Sequence, residues 1–264
     1  FCVPIPIDVI ASILGVDRSR LTEFRDWSEG LIQGLNAFRT PEQTAHLERA
    51  SQALNAYFTA ALDERRTAPR DDLISDMVQL QAGGADLSDD ELRINLTALL
   101  VGGNLTTTDL IGNAVRLLLL NPAELAKLRA DPGIINGLVE EVLRYDPPVD
   151  NTGRIASGEL ELGGCPFHAG QSLAVSLRAA NRDPEVFADP DRLDVERPNA
   201  GKHIAFGYGP HMCIGQHLAK LELKVMLQEL LPRLSRIEAN GPTKMIQTNF
   251  VGGPRRIPMH LTFS

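Results

Sequence analysis

The sequence predicts a mainly α-helical fold with small β-sheets in its later part. Three features predict it: apolar residues spaced at three and four as far as Tyr145, helix-start and helix-stop signals at matching places, and a change to alternation with glycines after Gly158. With 264 residues, 43% of them hydrophobic, the chain can bury one sizeable core and reads as a single mixed domain.

Phe1 to Leu14 begins with apolar, core-like residues and enters a helix without an initiating Met, so the start reads as interior to a longer chain. Several helices are expected from Pro6 to about Leu87, the first with Ile7, Ile10, Ala11 and Leu14 on its buried face. Ser88-Asp89-Asp90-Glu91 has the capping-box pattern, in which the Ser hydroxyl and Glu carboxylate satisfy each other's orphan backbone donors. The acidic residues also suit the positive helix end. The helix they open covers residues 88–120, roughly 48 Å at the usual rise, and Asn121-Pro122 stops it. Its middle, Leu99 to Leu105, has no obvious polar face and is expected to be buried on most sides. Helices follow over residues 122–130 and about 131–145, the second ended by Asp146-Pro147-Pro148 because proline cannot continue the ladder.

Leu160, Leu162, Leu173 and Val175 mark short strands within Gly158 to Ser176. A loop rich in Asp, Pro and Arg runs from Asn181 to Lys202. A helix is then expected from about Ile214 to Leu231, with Leu218, Leu221, Val225 and Leu230 inward and Pro232 closing it. The tail, Thr243 to Phe263, reads as a hairpin joined through Gly252-Gly253-Pro254.

A net charge of -8 argues against nucleic acid or an anionic membrane surface as the main partner. Cys2, Cys165 and Cys213 are odd in number and widely spaced, which suits a reducing compartment, the cytoplasm by default, better than a disulfide framework. No run reaches the roughly 18 apolar residues of a membrane span, and the start lacks the basic region of an export signal.

The residues that carry chemistry centre on Phe206-Gly207-Tyr208-Gly209-Pro210-His211-Met212-Cys213-Ile214-Gly215. Glycines let this turn bend sharply enough for several N–H groups to point at one sulfur, and the following helix adds its positive end, so a thiolate is favoured over a thiol. Taken alone, a lone cysteine is more often buried and inert. A zinc site built with His211 and His217 lacks a second cysteine pair. A nucleophilic thiol has only His203 as a candidate base.

The spacing Phe-Gly-x-Gly-x-His-x-Cys-x-Gly resembles the haem-binding signature of the cytochrome P-450 family in its soluble bacterial form. The resemblance implies a P-450-like fold, incomplete at its N-terminus, binding haem b with Cys213 as axial iron ligand. Phe206, Gly207 and Gly215 would shape the loop around the cofactor, and His211 would bond a propionate. Glu141-Val142-Leu143-Arg144 matches the family's Glu-x-x-Arg helix, whose side chains share one face and pair, with Arg192 as the expected third, basic member of a network bracing the loop. Arg154 matches the arginine that forks onto a propionate.

On the long helix, Gly102-Gly103-Asn104-Leu105-Thr106-Thr107 resembles the distal motif, with Thr106 as the hydroxyl that helps deliver protons over the haem and Gly103 and Asn104 beside it. Glycines here weaken the helix by about 1 kcal/mol each against alanine, which asks for a packing or functional reason; close approach of haem and O2 is one. Leu105 stands where the family carries an acid and cannot carry a proton. Asn104, Asp109 or water would have to substitute. An ordinary mid-helix threonine would instead bond its own i−4 carbonyl.

By analogy, Leu99, Val149, Asn151, Thr152, Phe250 and Val251 are expected to face an apolar organic substrate. The function implied is a monooxygenase inserting one oxygen atom from O2, with electrons from a ferredoxin and its reductase and with Lys202 and Lys220 as candidate contacts to that partner. Peroxide-driven haem oxygenation is the alternative that Leu105 favours. A haem carrier or a haemless fragment without turnover are the others.

Overall fold

The computed structural model describes residues 2–36, 38–247 and 251–263. The chain divides into two compact units, Phe1–Thr108 and Asp109–Ser264, where its sequence reads as one domain. The boundary falls inside the long helix.

The first unit is helical. α1 (Pro4–Leu14) starts on a proline, which loses no hydrogen bond at that position, and ends at Gly15, whose φ of 82° suits a residue without a Cβ. α2 (Leu21–Ile32) and α3 (Pro41–Thr67) follow, α3 opened by a reciprocal capping box between Thr40 and Gln43. α4 (Leu73–Ala82) is capped by Asp72, which accepts from the Ser75 N–H at 2.8 Å. α5 (Asp89–Leu120) starts where expected, with the Glu91 carboxylate accepting from the Ser88 N–H at 2.7 Å.

Ile7, Leu14, Phe24, Leu54, Phe58, Leu62, Ile74, Leu92, Leu96 and Leu100 form the core of this unit. Removing so much apolar surface from water is its main source of stability. A buried ion pair runs through it: Arg65 holds Asp72 at 2.8 Å and also donates to the Gly15 carbonyl at 2.8 Å, tying α3 to the starts and ends of its neighbours.

The second unit takes α5 from Asp109 onward, then α6 (Pro122–Ala130) and α7 (Ile135–Tyr145), which a 3-10 turn over Pro132–Ile134 precedes. β1 (Asn151–Ile155), β2 (Leu160–Leu162), β3 (Cys165–Phe167) and β4 (Ser172–Ser176) make two antiparallel pairs, β1 with β4 and β2 with β3. α8 (Leu177–Ala180) leads into the long loop, and α9 (Gln216–Leu230) leaves the cysteine turn. β5 (Leu234–Ala239), β6 (Lys244–Gln247), β7 (Gly252–Arg256) and β8 (Met259–Phe263) complete it.

Two expectations about this unit change. In the tail, β6 pairs with β7 and β8 returns to β5, so Gly252, Gly253 and Pro254 are strand residues of β7, not a turn. Gly253 is needed there because the Asp109 side chain occupies the space of a Cβ. In α9 the apolar residues form two stripes. The chain buries Leu223, Met226 and Leu227, leaving Leu221 and Val225 exposed instead of inward. Choosing that stripe carries the carboxyl group of Glu222 inside.

Candidate functional site

The cysteine loop is built from both ends. His203 N–H donates to Ala200 O, Gly207 N–H to Ile204 O, Met212 N–H to Gly209 O and Cys213 N–H to Phe206 O at 3.0 Å, so the turn closes on itself just ahead of α9. Gly207 and Gly209 sit at φ of 75° and 80°, a region that side-chain-bearing residues rarely adopt. Gly215 lies beside the sulfur: a Cβ there would be 3.9 Å from Cys213 Sγ. Cys213 is exposed, as are its neighbours Tyr208, Met212 and Ile214. The thiol therefore faces outward from an apolar surround, at the positive end of a fifteen-residue helix.

Among the described residues no three His, Cys, Asp or Glu side chains converge as a metal site. A lone thiolate suits a metal that brings its other ligands in a macrocycle, and the outward sulfur beside Ile214 suits a flat apolar one. The donor set therefore fits a haem.

The Glu-x-x-Arg pair lies wholly inside. Arg144 donates from Nε and Nη2 to the Glu141 carboxylate at 2.7 and 2.8 Å, the two-point fork that guanidinium and carboxylate geometry allows. The third arginine is Arg197, not Arg192. Arg197 Nε reaches both Glu141 oxygens at 3.2 Å and its side chain is buried, whereas the Arg192 side chain is 65% exposed and pairs with Asp194. Arg192 contributes its carbonyl, which accepts from Arg144 at 3.2 Å and from Arg197 at 2.9 Å. The two buried arginines also collect the carbonyls of Asn181, Ala188, Asp189 and Pro190, stapling the loop that precedes the cysteine turn. Sequence position pointed to Arg192; the loop's fold decides for a residue five places on.

A second carboxylate was missed. Glu140 on α7 binds the His203 Nε2 at 3.0 Å and the Lys220 ammonium at 2.8 Å. Burial pushes its carboxyl up, but the hydrogen bonds from His203 and Lys220 outweigh that and hold it below the usual carboxylate range. Both ring nitrogens of His203 are thus engaged, Nε2 with Glu140 and Nδ1 with the Ala205 N–H, which leaves neither to serve Cys213 as a base, and Lys220 is paired within the chain. Lys202 is exposed.

Arg154, on β1, is exposed, its Nη1 donating to Thr152 Oγ1 at 3.0 Å and to the Gly153 carbonyl at 2.8 Å. His211, at the end of the 3-10 turn Gly209–His211, is exposed too. Val149 and Val251 come together as an antiparallel bridge, with Gly252 N–H donating to Pro148 O at 2.9 Å. Asn151 and Thr152 are opposite Ser176 and Val175 in the β1–β4 register. Phe250 lies outside the described residues.

In the first unit, Thr106 Oγ1 donates to the Gly102 carbonyl at 2.7 Å, the local bond a mid-helix threonine makes. Gly102 has open space around it, but a Cβ on Gly103 would meet Ile10 of α1 at 3.0 to 3.3 Å. Helix packing therefore accounts for Gly103. Leu105 is buried. Neither polar neighbour replaces an acid there. Asn104 is fully buried and turned to α2, where its Oδ1 accepts from Arg25 at 3.2 Å. Asp109 is packed against Gly253.

A cavity of about 650 Å³ runs along one face of α5, past Ile94, Thr97, Ala98 and Val101 to Gly102, with Leu31, Ile32 and Leu54 opposite. Leu99 packs against the core and not into this groove. The three-and-four spacing of Ile94, Thr97, Ala98 and Val101 could have marked this face, but Thr97 and Ala98 dilute its apolar signal.

The family model described as Cytochrome P450 matches residues 133–259. Cytochrome P450 107B1 of Saccharopolyspora erythraea is 42% identical over 234 residues, 88% of this chain and 56% of that protein. The steroid C26-monooxygenase of Mycobacterium tuberculosis is 35% identical over 262 residues, 98% of this chain and 70% of its own length. Among solved structures, CYP109E1 from Bacillus megaterium in complex with testosterone superposes with a TM-score of 0.92 at 34% identity, covering 98% of this chain and 68% of that one. The chain spans about half the length of the first curated relatives it matches. No helix among the described residues is long and apolar enough to cross a membrane.

Proposed function

The chain belongs to the cytochrome P450 family, and on that premise we propose that it serves a haem-thiolate monooxygenase in which Cys213 would hold the haem iron and one oxygen atom from O2 enters an apolar organic substrate. The observation that carries the reading is the Cys213 loop: one outward thiol, in a turn closed by its own backbone bonds, at the start of α9. Bound there, haem b supplies an iron onto which the thiolate pushes electron density, favouring O–O cleavage.

The residues of the chain hold and shape. Glu141, Arg144 and Arg197 keep the loop before the ligand in one conformation, Arg154 and His211 offer exposed donors suited to propionates, and Gly102 leaves one face of α5 open. The Thr106 hydroxyl, at a helix position next to that open face, can exchange its bond to the Gly102 carbonyl for one to a water, and so hold or pass on a proton there. The groove from Ile94 to Gly102 admits an apolar molecule, with few polar groups to satisfy. Electrons come from a redox partner, a ferredoxin with its reductase, with Lys202 as an exposed cation for an acidic surface.

The test is the absorption spectrum of the reduced, haem-loaded protein with carbon monoxide. A strongly red-shifted Soret band, lost in Cys213→Ser, is the expected result. A haem-loaded wild-type protein without that band would overturn the ligand assignment.

One observation favours peroxide as the oxidant. Leu105 is buried and apolar, and Asn104 and Asp109 face elsewhere, so a proton path to Thr106 through this stretch of helix lacks its acid. Product formed with peroxide but not with a ferredoxin chain supports this second reading; product with the chain alone sinks it.

A further inference from the structure

The cysteine loop has two ends, and one carboxylate holds both. His203 stands where the chain enters the loop, and Lys220 stands one turn into the helix by which it leaves. Both bond Glu140, at 3.0 Å and 2.8 Å. On the entering side the bond is relayed: His203 Nδ1 accepts the Ala205 N–H at 3.2 Å, which fixes the ring hydrogen on Nε2, where it points at Glu140. Asn181 Oδ1 accepts the next backbone donor, Ile204 N–H, at 2.8 Å. The Phe206 ring lies between the two ends, its centroid 6.0 Å from that of His203 and 5.6 Å from the Lys220 ammonium, and its carbonyl accepts the Cys213 N–H. The His203 side chain is only 4% exposed, so its bond to the carboxylate competes little with water.

We propose that Glu140 is a positioning residue for Cys213: it ties the entry and exit of the 204–215 loop to α7 and so sets where the sulfur sits. The Glu141 network braces the segment upstream, whereas Glu140 closes the loop itself. This rests on Cys213 being the haem ligand only for its spectroscopic consequence; the closure is a property of the loop.

The experiment takes the full chain, as purified and again after loading with haemin, in wild type, Glu140→Ala, Glu140→Gln and Lys220→Met. Hydrogen exchange resolved to the 203–215 segment reads the clamp without haem. Losing a charge-assisted bond at each end should raise exchange there about tenfold or more in Glu140→Ala, with less effect in the two conservative variants, while the β5–β8 segments keep the wild-type rate. In the haemin-loaded samples, part of the ferrous carbon monoxide band should move from the thiolate position to the unshifted one in Glu140→Ala, and Glu140→Gln should restore most of it. Unchanged loop exchange in Glu140→Ala, or equal acceleration in β5–β8, overturns the clamp. A wild-type sample lacking the thiolate band overturns the ligand assignment instead, and the exchange data still decide the clamp.

Discussion

At the scale of single residues, the clearest departure from ordinary behaviour is Glu222. It is buried on α9, its Oε2 has no hydrogen-bond partner among the described residues, and burial pushes its carboxyl up from 4.5 to about 7. Unfolded, the group ionises near 4.5; folded, it keeps its proton to about 7. Between those values the folded state holds more protons, so stability falls as pH rises through the window and is lowest, and flat, above it. After allowance for the solvent that still reaches the carboxyl, the difference is about 2 kcal/mol. Glu222→Gln should remove this slope and raise stability at pH 8 by that amount, read from urea unfolding at several pH values. A variant with the wild-type slope would show that another group titrates. Residue-scale reading of the sequence placed Cys213 in its glycine turn and asked for a packing or functional reason at Gly103, but nothing in the motif shows that Ile10, ninety-three positions earlier, fills the space beside it.

At the scale of elements, the Glu141 network makes the sharpest contrast between two arginines of one loop. Removing Arg197 leaves Glu141 forked by Arg144 but takes the buried donors away from the Ala188 and Asp189 carbonyls, at about 1–3 kcal/mol for each group left unpaired, whereas an exposed ion pair is worth about 1 kcal/mol or less. Arg197→Ala should therefore lower the thermal midpoint severely, and Arg192→Ala should leave it within a degree or two of wild type, since only the Arg192 carbonyl takes part. Equal losses in the two variants would remove Arg197 from the network. Helices were legible from the sequence for local reasons: the capping box at Ser88, the proline stops after Leu120 and Tyr145, and the apolar period all act within a turn or two. What was not legible is long-range. Which of two apolar stripes α9 buries, which arginine of an irregular loop turns inward, and that β8 pairs with β5 across the β6–β7 hairpin depend on residues far away in the chain. Glu140 shows the same limit, since its partners lie 63 and 80 positions on.

At the scale of the whole chain, α5 begins in one compact unit and ends in the other; Gly102 and Thr106 belong to the first, and Arg154, His211 and Cys213 to the second. A cofactor bound by the folded chain and not by the unfolded one stabilises it by mass action, about 2.7 kcal/mol when free ligand is a hundredfold above its dissociation constant. For a chain of this size that corresponds to a rise of about 5 °C or more in the thermal midpoint. Haemin is also a flat apolar molecule, and the second unit exposes Ile155, Tyr208, Ile214 and Leu221, any of which could adsorb it without ligation. Cys213→Ser separates the two modes. It removes the thiolate but leaves that apolar surface and the loop's backbone bonds in place, so adsorption would stabilise both proteins alike, whereas ligation would stabilise only the one with sulfur. Melting curves followed by far-ultraviolet circular dichroism, with and without haemin, should show the rise in wild type and most of it lost in Cys213→Ser; equal shifts would mean that haemin binds this chain by its surface and not through Cys213.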